Sequence, residues 1–212
     1  MDLVHPLVQQ FSETYSSQEE GILKEIAQFT ATQYTEAHML SGQVQGFLLK
    51  MISWMIRPKR VLEIGTFTGY SALCLADGLD DDGVLHTIES DQKSFTVADN
   101  FFKKSALYSK IKLHRGDAKK IIPTLNETWD LVFLDAEKTG YIDYYNLIFP
   151  RIKKNGFILA DNILFHGKAL EAEPKGKSAK AIKEFNEFIH TQTNIEKVVL
   201  TLRDGLYLLR KL

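Results

Sequence analysis

Val61-Leu62-Glu63-Ile64-Gly65-Thr66-Phe67-Thr68-Gly69-Tyr70-Ser71 is an apolar run carrying one acid and closed by two glycines four residues apart. It reads as a buried strand that breaks into a tight turn and opens a helix over 70–77. Glycine takes positive φ without steric cost and lets another molecule approach the backbone, while the first amides of a helix lack intrahelical partners and favour an anion. Two readings stand at this point: a nucleotide-like ligand held at the turn, or an ordinary strand-to-helix turn that contains two glycines.

The 212 residues are 44% hydrophobic and 25% charged, enough for one sizeable core and short for two large domains. We expect one domain over 1–212, with 1–57 as a helical cap or interface segment and 58–212 as the sheet core. The 26 basic and 27 acidic side chains nearly cancel, which leaves no electrostatic footprint for duplex nucleic acid or an anionic membrane. A small-molecule partner fits better. The start, Met1-Asp2-Leu3-Val4-His5-Pro6, lacks the basic and apolar regions of a secretory signal, and no apolar run has bilayer-spanning length, so a cytoplasmic protein is expected. The single cysteine, Cys74, sits among Leu73, Leu75 and Ala76 and reads as core filling.

Before the opening strand the pattern is helical. Leu7, Phe11 and Tyr15, then Ile22, Ile26 and Phe29, recur at helical spacing, and Ser17-Gln18-Glu19-Glu20 has the hydroxyl-then-acid spacing of a capping box. A small, polar stretch with Gly42 and Gly46 follows, and the apolar run 47–55 resumes a helix that Pro58 ends. After the opening strand, predicted strands at 84–89, 111–115, 131–135 and 157–161 alternate with helices at 92–106, 141–153 and 179–191. That alternation is the signature of a parallel sheet covered on both faces, an α/β fold. The tail differs: two strands joined through Arg203-Asp204-Gly205 read as a hairpin, which puts an antiparallel element at one edge. The stretch 171–178 reads as a mobile surface loop.

In an open parallel sheet ligands bind beyond the carboxyl ends of the strands, and here nearly every strand ends in an acid: Glu89, Asp117 just past the third strand, Asp135, and Asp161 followed by Asn162. A dinucleotide fingerprint needs a third glycine, and this turn has bulky Phe67 inside instead. An adenosine with a short amino-acid tail suits the turn better. Glu89 can accept both ribose hydroxyls, Asp117 and Ala118 can face an adenine edge, and Ser71 at the helix start can bind the tail carboxylate.

Through the 61–71 stretch, Asp135-Ala136-Glu137-Lys138 with Tyr141, Asp161-Asn162, and Asp204-Gly205, the chain from about His38 to Gly205 resembles the cation-dependent O-methyltransferases that act on catechols and caffeoyl-CoA. The resemblance implies S-adenosylmethionine as cofactor and a Rossmann-like, seven-stranded sheet, parallel except for the hairpin strand. By matching position, Met39, Ser41, Glu63, Gly65, Thr66, Ser71, Glu89, Asp117, Ala118 and Asp135 would line the cofactor pocket, with the Met39 to Gly46 loop closing over the methionine end. Glu137 stands where caffeoyl-CoA enzymes commonly carry aspartate.

The residues themselves also point to a metal. Asp135, Asp161 and Asn162 offer three oxygen ligands from what should be adjacent strand ends, with no histidine or cysteine cluster competing, which favours Mg²⁺, Ca²⁺ or Mn²⁺ over zinc. In the resembled family the lysine matching Lys138 is the proposed proton acceptor or oxyanion partner, a base if partial burial and a cation lower its pKa. The catalytic set expected is therefore Lys138, Asp135, Asp161 and Asn162, acting in metal-assisted SN2 methylation of one hydroxyl of a vicinal dihydroxyaromatic. Met39, Lys138, Tyr141 and Phe165 are candidates to meet that substrate.

Two rival readings stand beside this one. A nucleobase N-methyltransferase would place an Asn/Asp-Pro-Pro-aromatic motif after the fourth strand, and none is present. A non-catalytic S-adenosylmethionine-binding protein would not need Lys138 with Asp161-Asn162. His38 and His166 read as solvated rim residues, Trp54 and Trp129 as core or interface. Lys168, Lys175, Lys177 and Lys180 form either a solvated loop or a contact for coenzyme A phosphates. Family members that accept such esters are commonly dimers, so a homodimer is possible.

Overall fold

Alternate residues along the central strands face opposite sides of the sheet, and both sides are apolar. The computed structural model, which describes residues 4–212, has strands β1 (Arg60–Ile64), β2 (Val84–Glu89), β3 (Ile111–Arg115), β4 (Trp129–Leu134), β5 (Ile152–Asp161), β6 (Ile195–Leu200) and β7 (Leu206–Lys211). In β4, Val132 and Leu134 join one core layer with Leu62, Ile64, Ile158 and Ala160, while Leu131 and Phe133 join the other with Val61, Leu85 and Leu159. Near-continuous apolar strands are what a sheet buried on both faces demands.

The helices are α1 (Pro6–Tyr15), α2 (Gly21–Gln33), α3 (Gly42–Ile56), α4 (Tyr70–Asp77), α5 (Gln92–Lys104), α6 (Ala118–Ile121), α7 (Tyr141–Ile148) and α8 (Lys177–Thr191). Ile26 of α2 and Leu49 and Ile52 of α3 complete the layer built by α4 and α5, whereas Tyr145 of α7 and Ile182, Phe185 and Ile189 of α8 fill the other. Among the described residues, no helix is long and apolar enough to cross a membrane.

The strand order is β3-β2-β1-β4-β5-β7-β6. All neighbours are parallel except β7, which runs antiparallel to both β5 and β6. The hairpin therefore folds back so that its second strand lies inside it and β6 forms the edge. The order reverses between β1 and β4, and a crevice opens there at the carboxyl ends.

Three local expectations are corrected. The helix predicted over 141–153 ends at Ile148, because Pro150 lacks the N–H that would continue it; one 3₁₀ turn, Phe149–Arg151, leads directly into β5. The helix predicted over 92–106 stops at Lys104, while at its start Asp91 Oδ2 accepts the Ser94 N–H at 2.7 Å. The capping box at Ser17 does not form. The helix α2 begins only at Gly21, so Glu20, the acid of the box, itself holds the cap position without a side-chain bond; the neighbouring Glu19 accepts from the Tyr70 hydroxyl at 2.6 Å.

Candidate active site

The turn after β1 is shaped by its glycines. Gly65 has φ +100° and a Cβ there would stand 1.9 Å from the Asp135 carbonyl oxygen, so only glycine lets β1 pass this close to the end of β4. Gly69, φ +94°, is the cap of α4, and a Cβ there would meet the Phe102 ring at 2.6 Å. Between them Phe67 takes φ +50° and donates its N–H to Glu89 Oε2 at 2.7 Å, while Asp91 donates its N–H to Glu89 Oε1 at 2.8 Å. Burial raises the Glu89 carboxyl above its usual range, and these amide bonds oppose the rise. Each oxygen keeps capacity for a further donor.

A cleft of about 1110 Å³ opens over this turn and along the carboxyl ends of β1, β2, β4 and β5. Met39, Ser41, Gly65, Thr66, Ser71, Glu89, Asp117, Ala118, Asp135, Lys138, Asp161, Asn162 and Phe165 all line it. Asp117 caps α6, its Oδ1 accepting the Lys119 N–H at 2.9 Å. Two expected lining residues do not reach the wall. Glu63 is fully buried beneath the turn, where the Thr87 hydroxyl donates to its Oε2 at 2.5 Å and Thr66 and Thr87 share a hydrogen bond of 2.5 Å. Burial pushes the Glu63 carboxyl up to about 8, with the Ser71 and Thr87 hydroxyls pulling the other way. Its Oε1 has no hydrogen-bond partner among the described residues.

Tyr141 is the second. It is fully buried under Lys138, packed edge-on against Phe185 with centroids 5.2 Å apart, so it cannot wall a substrate. Its hydroxyl donates to the Asp161 carbonyl at 2.9 Å and accepts from Lys138 Nζ at 3.0 Å.

Register brings the charged groups together: Leu134 pairs with Ala160, so Asp135 and Asp161 follow side by side. Lys138 Nζ donates to Asp135 Oδ1 at 2.9 Å. Asp161 is held at both oxygens, Oδ2 by the Gln45 amide at 2.6 Å and Oδ1 by the Asn162 N–H at 2.7 Å. Burial first, and the Asp135 charge second, push the Asp161 carboxyl well above the usual carboxylate range. For Lys138 burial is the largest influence and acts downward, but Tyr141 and Asp135 together outweigh it and the ammonium is held above its ordinary value. These neighbours favour the ammonium form of Lys138.

Among the described residues, no three His, Cys, Asp or Glu side chains gather as a metal cluster. What gathers is two carboxylates and an amide, lining one cleft.

Several lining residues went unread in the sequence. Tyr34 and Phe67 meet edge-on with centroids 5.0 Å apart near Glu89, with the Lys93 ammonium 4.1 Å above the Tyr34 ring. Tyr144, Arg203 and Asp204 also line the cleft, and Gln45 supports it from behind. His38 and His166 stand at the rim, both exposed. Cys74 and Trp129 are core, whereas Trp54 is half exposed and donates to Asp77 Oδ2 at 2.6 Å. Lys168, Lys175, Lys177 and Lys180 do not line this cleft.

The family model described as O-methyltransferase matches residues 13–212. A probable caffeoyl-CoA O-methyltransferase 2 of Dictyostelium discoideum is 32% identical over 206 residues, covering 93% of this chain and 88% of its own length. A catechol O-methyltransferase of Niastella koreensis is 29% identical over 162 residues, covering 74% and 73%. Among solved structures, the SAH-bound methyltransferase PaMTH1 of Podospora anserina matches with a TM-score of 0.90 at 28% identity, over 97% of this chain and 94% of that one.

Proposed function

Since the chain belongs to the O-methyltransferase family, we propose that it transfers the methyl group of S-adenosylmethionine to one hydroxyl of a vicinal dihydroxyaromatic small molecule, a catechol or hydroxycinnamoyl-type acceptor. A divalent cation held by Asp135, Asp161 and Asn162 is part of the proposal. The observation that carries it is the junction of β4 and β5, where two neighbouring carboxylates stand with one half-buried ammonium at the foot of a cleft.

One ammonium cannot balance two carboxylates, and an all-oxygen donor set beside them fits a hard cation, Mg²⁺ first, with Ca²⁺ and Mn²⁺ as alternatives. A phenol has pKa about 10, so forming its oxyanion at pH 7 costs roughly 4 kcal/mol, and a bound cation supplies the positive charge that offsets much of this. The cofactor supplies a methyl group already activated on a sulfonium.

The chain's own residues do the rest. The turn at Gly65 and the first amides of α4, with Ser71, receive the amino-acid end of the cofactor. Glu89, preset by two backbone amides, accepts the ribose hydroxyls, and Asp117 with Ala118 faces the adenine. Glu63 acts from beneath by holding Thr87, and through it Thr66. Met39 and Phe165 flank the acceptor ring. Lys138, steered by Asp135 and Tyr141, is aimed to donate a hydrogen bond to the reacting oxygen. Exposed apolar side chains on α1 (Leu7, Phe11, Tyr15) and α3 (Met51, Met55) support a homodimer.

The cation is tested by chelation. Protein stripped of divalent ions should lose nearly all catechol methylation and regain it with Mg²⁺; undiminished turnover in excess chelator would contradict the metal role.

A further inference from the structure

The turn between β6 and β7 touches both walls of the acceptor half of the cleft. Arg203, at φ +49°, sends its guanidinium to the 38–41 segment and donates to the carbonyls of His38, at 3.0 Å, Leu40 and Ser41. That segment carries Met39 and Ser41, which line the cleft. The next residue, Asp204, is buried and ties down the opposite wall. Its Oδ1 accepts the His166 N–H at 2.5 Å and its carbonyl accepts the Leu164 N–H at 3.0 Å, while the Gly205 carbonyl accepts the Ile163 N–H at 3.2 Å.

The loop so held is a costly one. Asn162, Phe165 and His166 take φ of +57°, +47° and +56°, a region that non-glycine side chains rarely adopt and that persists only where surrounding bonds enforce it. Two consecutive residues of one turn thus fix two segments far apart in the chain, one bearing Met39 and the other Asn162 and Phe165. A guanidinium suits the first task, since its several N–H groups fan over a set of carbonyls that a single ammonium cannot span.

We infer that the β6–β7 turn is a two-sided clamp that sets the width of the acceptor cleft, with Arg203 and Asp204 as its positioning residues. Arg203 governs the wall shared with the methyl donor. Asp204 governs the wall that meets the acceptor alone. The inference rests on the functional reading above.

The test keeps the two separable by measuring S-adenosylhomocysteine binding by calorimetry, steady-state catechol methylation, and hydrogen exchange of 38–42, in the full chain and its variants. Arg203→Ala, a change at an exposed position, should weaken S-adenosylhomocysteine binding and raise the catechol KM by about tenfold each, as expected for loss of a charge-assisted contact. Its kcat should fall much less, and amides of 38–42 should exchange faster. Arg203→Lys should recover only part. Asp204→Ala should raise the catechol KM with S-adenosylhomocysteine affinity unchanged, and Asp204→Asn, which keeps an acceptor for the His166 N–H, should restore it. Wild-type KM, affinity and exchange in Arg203→Ala overturn the clamp, as does a loss confined to kcat. Should Asp204→Ala fail to fold, the Arg203 pair alone decides. A wild-type protein that binds no S-adenosylhomocysteine overturns the functional reading instead.

Discussion

The buried acid in the first strand shows how much a single residue can weigh. Glu63 has a folded-state pKa near 8 against an ordinary 4.5, so between those values the folded chain binds a proton that the unfolded chain releases. Stability from this group is therefore full below about 4.5 and lost as pH rises towards 8. Glu63→Gln keeps an acceptor for Thr87 and removes the titration. Its Tm relative to wild type should climb as pH rises through that window, and a Tm difference independent of pH would refute the burial account. His86 works in the opposite sense: burial and His114 hold it down to about 4, so its contribution is lost as pH falls from 6.5, which is why the mutant difference is the quantity to read. Lys138→Met should leave cofactor binding intact and lower kcat by about a hundredfold or more, the size usual for removing one donor to a developing oxyanion; kcat within threefold of wild type would remove Lys138 from the chemistry. Asp135, Asp161 and Asn162 were legible as cleft residues because strand ends in this sheet class are where ligands bind, whereas Lys138, beyond the end of β4, was marked only by the family resemblance. Gln45 was not, since it meets Asp161 across 116 residues and no local pattern marks that contact. Tyr141 was visible but misassigned, because spacing does not say whether a ring faces the cleft or lies under it.

At the level of elements, β2, β3 and α4 lie where the sequence predicts them, residue for residue, because each combines an apolar pattern with a glycine, acid or cap at its end. The misread boundaries have the same origin in reverse. Pro150 sits inside an apolar helical pattern, and the Ser17 spacing mimics a capping box although α2 begins only at Gly21, which leaves the box acid, Glu20, at the cap itself. The β1 turn is the element most exposed to substitution. Gly65→Ala puts a methyl into the Asp135 carbonyl at a φ that disfavours side chains, and should cost about 2 kcal/mol or more in denaturant unfolding. An unchanged midpoint would mean that β1 and β4 are not in this contact.

For the molecule as a whole, the parallel order and the hairpin follow from alternation and an Asp-Gly turn, but the insertion of β7 between β5 and β6 does not, since hairpin spacing is the same whichever strand lies inward. The first helix poses a question of assembly. No residue of α1 is buried, and a ten-residue helix is marginal without packing. A dimer seated on Leu7, Phe11 and Tyr15 would supply it, so light scattering should give twice the 24.2 kDa chain mass and Phe11→Asp should shift the protein towards monomer; a monomer at high concentration would exclude that arrangement. In the proposed reaction a methyl group leaves S-adenosylmethionine for a catechol oxygen at the junction of β4 and β5. Its most direct test is mass spectrometry of catechol incubated with methyl-labelled S-adenosylmethionine, Mg²⁺ and either wild type or Asp161→Ala. A singly O-methylated product carrying the label, formed by wild type and nearly absent with Asp161→Ala, is expected. No labelled product from wild type, or equal yield from both proteins, would contradict it.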